Sequence, residues 1–389
     1  MNLLKSSLNY SKIALVDLQA QYSTIKQEID EAITYIVSNT QFIQGAEVSK
    51  FERSFASFCS ANNNAQTYCA SCANGTDALE LALAAFDIGQ GDEVITVSHT
   101  FFATVEAIVS QKATPILIDI NPKTMLMDES KIEEKITSKT KGIIAVQLYG
   151  QTCNMDEINR IAKKHNLFVI EDAAQAHGAS WDGQRVGTLG DLACFSFFPG
   201  KNFGCYGDGG AVVGRNVDLI KKVKEISCHG REKGEKYIHK CFGRNSRLDS
   251  LQAAILNVKL KYLDQWTCQR REIANYYLKQ LSNLPITLPF IDPRAESAWH
   301  LFVVRTPTTT MRDALFEELK SKGIGVGLHY PIPVHLQPAF INLYNQQLSL
   351  PHTESITQNL ISLPMYPELK TKQLEFIVDQ LNENCKIHK

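Results

Sequence analysis

The sequence predicts an α/β fold: a mainly parallel sheet with helices on both faces, followed by a smaller C-terminal α+β part. Three observations carry this reading. Between residues 65 and 215 short β-rich runs alternate with helical stretches, the pattern of right-handed β-α-β crossovers. Runs such as 142–146 (GIIAV) are continuously apolar, as strands buried on both faces must be. Finally, 389 residues, of which 44% are hydrophobic and 21% charged, can bury a large core without disulfide staples.

Segment 20–60 has apolar residues at helical spacing with a break at Gly45, which predicts helix, turn, helix. The expected strands follow: 93–97, 115–120, 142–150, 167–174, 194–198 and 210–214. Helical patterns at 76–86, 104–112 and 155–165 separate the first four. The stretch 220–245 is polar and basic, and 250–266 reads as helix. Beyond 285 the texture is strand (300–305), helix (312–323) and a Pro- and His-rich loop at 329–338. The domain division expected from this is 1–255 and 256–389.

Composition narrows the function classes. Forty basic against 41 acidic residues give a net charge of −1, so no basic excess points to nucleic acid. The longest apolar runs, 81–86 and 142–146, are far too short for a membrane span, and no secretory leader is expected from the N-terminal residues. The ten cysteines are scattered and read as reduced thiols of a cytoplasmic protein. Cys69-x-x-Cys72 lacks the second pair that a zinc site needs, so no metal is expected.

Four places could carry chemistry. Lys201, in FSFFPGKNFGCYGDGGA (195–211), sits among glycines and aromatics. A phosphate-binding P-loop is excluded there, because Phe195 and Asn202 stand where that motif needs Gly and Ser or Thr. A desolvated lysine can instead be a Schiff-base nucleophile; the alternative is a surface lysine in a turn. Glu171 and Asp172 end an apolar strand in VIEDAAQAHGA (169–179), where α/β sheets bind ligands. An acid there could pair with a cation or merely cap the next helix, and His177 reads as packed. CASCANGTDALELAL (69–83) places Asn74-Gly75-Thr76 at a helix start, a natural phosphate cradle or an ordinary cap. SHTFFATVEA (98–107) offers two aromatics after a strand, one for the core and one that could stack on a flat ring. A phosphate cradle, an aromatic plate, an acid and a lysine together are the set that pyridoxal phosphate requires.

The ordered motifs NGTDAL, TFFAT, EDAAQAHGA, SFFPGKNFGCYGDGGA and GRNSRLDSLQAA resemble the DegT/StrS family of sugar-nucleotide aminotransferases. VDLQAQY (16–22), FIQGAEVSKFE (42–52), WHLFVVR (299–305) and GVGLHYPIPVHLQPAF (325–340) extend the resemblance over nearly the whole chain. It implies a fold-type-I pyridoxal-phosphate transferase with a seven-stranded sheet. By position, Lys201 matches the lysine that forms the Schiff base and shuttles the proton. Asp172 matches the acid at the pyridine nitrogen, Gln175 the residue beside the phenolic oxygen, and Phe101 the stacked aromatic. Gly75, Thr76 and Ser196 match phosphate contacts. Asn245 matches an asparagine reaching the phosphate from a neighbouring subunit, so a homodimer is implied.

The implied reaction moves an amino group from L-glutamate, leaving 2-oxoglutarate, to a keto group of a nucleotide-linked hexose or hexuronate in surface-glycan biosynthesis. CANGTDAL and FGCYGDGG look more like the members that act at C3, and SCHGREKGEKYIHK (227–240) leans toward a uronate. Arg231, Lys233 and Lys236, with His329 and Tyr330, are candidates to hold the sugar nucleotide; a solvated face is the alternative for the lysines. Amination at C4 and a non-catalytic regulator are the competing readings. Dehydratase members carry histidine at the position of Lys201, which counts against that chemistry.

Overall fold

The computed structural model describes residues 12–61, 66–232, 236–345 and 348–387; residues 1–11 of the N-terminal stretch read as lacking a leader, and Lys233, lie outside it. Three helices open the chain: α1 (Leu18–Thr24), α2 (Lys26–Ser38) and α3 (Ala46–Cys59). Gly45 is the extended N-cap of α3, the break expected from the sequence. Then come β1 (Tyr68–Cys72), α4 (Gly75–Ala85), β2 (Glu93–Val97), α5 (Ala103–Ser110), β3 (Thr114–Ile118), β4 (Thr140–Val146), α6 (Met155–His165) and β5 (Phe168–Asp172). β6 (Leu192–Ser196), β7 (Gly210–Gly214), α7 (Val217–Ser227), α8 (Ser250–Lys259) and α9 (Leu263–Gln280) follow. The last part holds β8 (Phe302–Arg305), α10 (Thr309–Ser321), α11 (Pro338–Tyr344), α12 (Pro351–Thr357), β9 (Leu360–Leu363) and α13 (Thr371–Ile387).

Seven strands form one sheet in the order β1-β7-β6-β5-β4-β2-β3. All neighbours run parallel except β7, which is antiparallel to both β1 and β6. The parallel strands therefore end on one edge, which gathers the residues after Cys72, Val97, Val146, Asp172 and Ser196. β7 starts at that edge, with Gly210 paired to both Cys72 and Ser196. A side chain at Gly210 would place its Cβ 2.2 Å from the Asn74 carbonyl oxygen, so the start of α4 can come this close only over glycine.

Four expected strands end early, those at 115–120 and 194–198 stopping at Ile118 and Ser196. The run 142–150 leaves the sheet after Val146, because Tyr149 (φ 61°) and Gly150 (φ 94°) adopt left-handed backbone. The run 167–174 ends at Asp172, where its pairing with β4 and β6 stops. The helical region expected at 250–266 is α8, a 3-10 turn and α9 in close succession.

The core has three main parts. One packs under the sheet and contains an aromatic stack in which Phe55 meets Phe195 at 5.0 Å and Phe197 at 5.3 Å, both edge-on. Phe51, Phe203 and the ring of His177 complete it. Another packs α4, α5 and α7 against the other face of the sheet. The third part joins α9, α10, β8, β9 and α13, and includes Ile13. That residue pairs with Ile324, its N–H donating to Gly323 O at 2.8 Å and its carbonyl accepting from Gly325 N at 2.7 Å. The first segment of the chain is thereby sewn into the last third.

Phe55 is fully buried in the aromatic stack, so truncation leaves a cavity that the sheet cannot collapse into. Phe55→Ala is expected to lower unfolding free energy by about 3–5 kcal/mol, read as a shift of the urea midpoint at unchanged slope.

Candidate active site

The carboxyl edge brings most of the candidate residues together. Asp172, at the last position of β5, is 7% exposed. Its Oδ2 accepts from Thr104 Oγ at 2.6 Å and its Oδ1 from Ala174 N at 3.3 Å. Burial pushes this carboxyl above its usual range; the Thr104 hydroxyl, the Ala174 N–H and the Lys201 ammonium oppose the rise. Lys201 follows β6 in a loop closed by its own N–H on Phe198 O (2.9 Å). Burial pulls its ammonium down to about 8, against the pull of Asp172. The free amine is therefore more populated near pH 7 than in an ordinary lysine.

Glu171, the neighbouring acid, points to the other face of the sheet, because successive strand residues alternate. Its Oε1 accepts backbone N–H groups from Gly187 (3.2 Å), Leu189 (3.0 Å) and Gly190 (3.1 Å). It pins the 187–190 turn. His177 is fully buried beneath the site among Phe195, Phe197 and Phe203, the packed histidine that the sequence suggested. Burial, then the nearby Lys201 charge, drops it to about 3, so it stays neutral.

Gln175 has its amide orientation fixed by its partners. Oε1 accepts from Tyr149 N at 2.7 Å, and Nε2 donates to Tyr330 Oη at 3.1 Å. Tyr149 Oη donates to the His329 carbonyl and therefore accepts at 2.8 Å from His99 Nε2. His99 is buried and pulled down to about 4 by burial, hence a neutral Nε2–H tautomer. This network suspends His329 and Tyr330 over the edge. His329 Nδ1 meets Ser362 Oγ at 2.8 Å, and burial and Lys201 keep the ring neutral. His300 Nδ1 meets Asn202 Oδ1 at 3.1 Å, and its ring too is held well below its ordinary value by burial and by Lys201.

Gly75 and Thr76 open α4, capped by Asn74 Oδ1, which accepts from Asp77 N at 2.8 Å. A Cβ on Gly75 would lie 2.6 Å from Ser196 Cβ. The first N–H groups of α4 and the Ser196 hydroxyl thus share one small space, which suits a phosphate group. Phe101 stays 56% exposed, with its ring 5.7 Å from that of Tyr330.

The remaining candidates lie on the segment 228–245, not on the sheet edge. Asn245 is exposed and pairs with Cys228 through the backbone. Arg231 Nη2 meets Cys228 Sγ at 2.7 Å, and Lys236 lies 5.4 Å from the ring centroid of its neighbour Tyr237. Thr104 was not singled out from the sequence, although Thr100 and Thr104 lie one helical turn apart in the TFFAT motif and their hydroxyls meet at 2.7 Å. Tyr149, His99, Asn202 and His300 were also missed; His300 falls inside a motif quoted above without a role.

These residues fit pyridoxal phosphate. A buried carboxyl with two hydrogen-bond donors gains most from a cationic partner, a lysine pulled below its ordinary value lies within reach of its charge, and a helix start opens beside a serine. The sequence profile of the DegT/DnrJ/EryC1/StrS aminotransferase family matches residues 23–382. The chain belongs to this family. Its members use pyridoxal phosphate, and neighbouring structures hold that cofactor or its amine form. The chain is 46% identical over 370 residues (95% of this chain, 99% of the relative) to a dTDP-3-amino-3,6-dideoxy-α-D-galactopyranose transaminase of Aneurinibacillus thermoaerophilus. It is 42% identical over 371 residues (95% and 98%) to a protein of Geobacillus stearothermophilus named a pleiotropic regulatory protein. Its fold matches the crystal structure of DesV of S. venezuelae with a ketimine intermediate at a TM-score of 0.91 and 39% identity, covering 96% and 99% of the two chains. This sugar-aminotransferase family member is thus a PLP-dependent aminotransferase in a fold-type-I frame. Among the described residues no helix is long and apolar enough to cross a membrane.

Burial lifts Glu171 from an ordinary 4.5 to about 7. The folded state therefore binds more protons than the unfolded one between these values. The contribution of this carboxyl to stability is full below 4.5 and declines as pH rises through about 7. Glu171→Gln should remove that slope. The variant's melting temperature, taken relative to the parent, should rise from pH 5 to pH 8; a constant difference would show that Glu171 does not carry the slope.

Proposed function

We propose that this protein, in the cytoplasm and as a homodimer, transfers the amino group of L-glutamate to the C3 keto carbon of a nucleotide-linked hexose. The observation that carries the reading is Lys201 and Asp172 gathered at one sheet edge within reach of each other's charge, in a chain 46% identical to a named 3-amino-sugar transaminase. Pyridoxal phosphate, when bound, supplies an electron sink for the carbanion that forms when a proton leaves the donor carbon.

The residues of the chain do the rest. Lys201 is the nucleophile that holds the cofactor and, once released, the base that moves the proton. Asp172 would keep the ring nitrogen protonated, with Thr104 fixing the carboxylate's orientation. Gln175 and Phe101 would help hold the ring. Gly75, Thr76 and Ser196 would take the phosphate, with Asn245 of the partner subunit. His329 and Tyr330, held by the Tyr149–Gln175 network, would meet the sugar, and Arg231 and Lys236 are the described candidates for its diphosphate.

The homodimer is supported by exposed apolar side chains beside the 228–245 segment. Phe242 is fully exposed and Tyr237 is 80% exposed, and Phe42 and Ile43, also exposed, pair with Ser250 and Asp249 just beyond that segment. Such a surface is expected to be covered by another chain. Phe242→Asp should yield a monomer in sedimentation and weaken cofactor retention.

A visible spectrum of the cofactor-loaded protein, before and after L-glutamate, tests the activity. Glutamate should bleach the visible band and a 3-keto hexose nucleotide should restore it. Lys201→Ala should lose the band and all turnover with the fold intact. Asp172→Asn should reduce turnover and cofactor affinity, because a neutral partner cannot hold the ring charge. A wild-type protein with no visible band would instead favour a regulatory role, for which the relative of that name speaks.

A further inference from the structure

Among the described residues Lys259 is the one lysine classed as buried, with 0% exposure. It sits in the last turn of α8, and no part of the reaction above uses it. Its Nζ donates to Gly204 O at 2.7 Å and to Gln21 Oε1 at 2.8 Å, and it lies 4.4 Å from the centroid of the Tyr206 ring. It makes no ion pair among the described residues. Two neutral oxygens and an aromatic face compensate a buried ammonium only in part. Burial pulls it down to about 8, while Cys205 and Glu368 pull the other way. A purely packing role would be served as well by an apolar side chain of the same length.

What the cation grips is the loop that carries Lys201. Gly204 lies three residues on, and a Cβ there would sit 2.4 Å from Pro199 O, so the loop is folded tightly on itself. Cys205 N donates to Phe197 O at 2.8 Å. Gln252, two turns earlier on α8, takes Tyr206 N at 2.8 Å and gives its amide to Tyr206 O at 3.3 Å. Residues i and i+7 share a helix face, so one face of α8 clamps the loop twice just after the nucleophile. Gln21, from the VDLQAQY motif that found no role above, ties the same cation to α1.

We propose that Lys259 is a positioning residue for Lys201: its buried ammonium locks the 199–206 loop shut, holding the nucleophile aimed at Asp172 and shielded from water. The proposal rests on the reading of Lys201 as the nucleophile. With the cation gone the loop relaxes, water reaches the Lys201 amine, and its protonated form is favoured again. The charged or titratable groups that face Lys201 are Asp172, His177, His300 and His329, and the three histidines are neutral near pH 7. The shift therefore reports on hydration of the loop.

The test is the pH dependence of Lys201 acetylation, by trace labelling with acetic anhydride and peptide mass spectrometry, in the cofactor-free full chain and in Lys259→Met. The wild-type midpoint is expected near 8, and that of Lys259→Met higher by about one unit, with labelling at pH 7 about tenfold lower. Pyridoxal phosphate capture at pH 7 should slow by a similar factor and recover at pH 10. Lys259→Gln, which keeps a donor but no charge, should shift the same way and serves if the methionine variant does not fold. An unchanged midpoint in a folded variant overturns the proposal. If the wild type captures no pyridoxal phosphate, the functional reading fails, while the labelling midpoint still decides the role of Lys259.

Discussion

Everything about this molecule turns on an acid and an amine kept out of water within reach of each other's charge. Neither Asp172 nor Lys201 is at ease: burial pushes the carboxyl up and the ammonium down, and each partly restrains the other. A surface pair of the same type would be nearly worthless energetically and chemically inert. Here the sheet enforces the arrangement. β5 and β6 run parallel and in register, so their ends deliver Asp172 and the Lys201 loop to one place. The aromatic stack under β6 leaves that loop no room to sink, and the Gln175–Tyr330 bond puts a roof near it.

Much of this was legible in the sequence because it is local. Continuous apolar runs marked the buried strands, and an acid at the end of one of them marked a ligand edge. The Asn74-Gly75-Thr76 start of a helix marked a phosphate cradle. The choice between Glu171 and Asp172 was not available from composition, since both are acids at a strand end. The pleat separates them, sending one to three backbone donors and the other to the site.

What escaped was non-local. The run 142–150, ending in Leu148-Tyr149-Gly150, looks like strand to the last residue, yet the sheet stops at Val146 and Tyr149 turns left-handed to feed Gln175. The pattern of β7 carries no sign of its direction. Lys259, inside an amphipathic helical stretch, would pass for a solvated face; only the approach of Gly204 and Gln21 reveals it as interior.

The pairing of Ile13 with Ile324 bears on how the chain is made. On a ribosome the N-terminal segment emerges first, but its partner appears only when most of the protein has been synthesised. The sheet can assemble early from neighbouring β-α units, whereas the C-terminal core stays open along one side until the far end arrives. The helix that follows Ile13 carries Gln21, so it too reaches its final place late. Maturation of the Lys201 loop is thus expected to be among the last events of biogenesis, which keeps the reactive amine from being fully formed in a nascent, half-built chain.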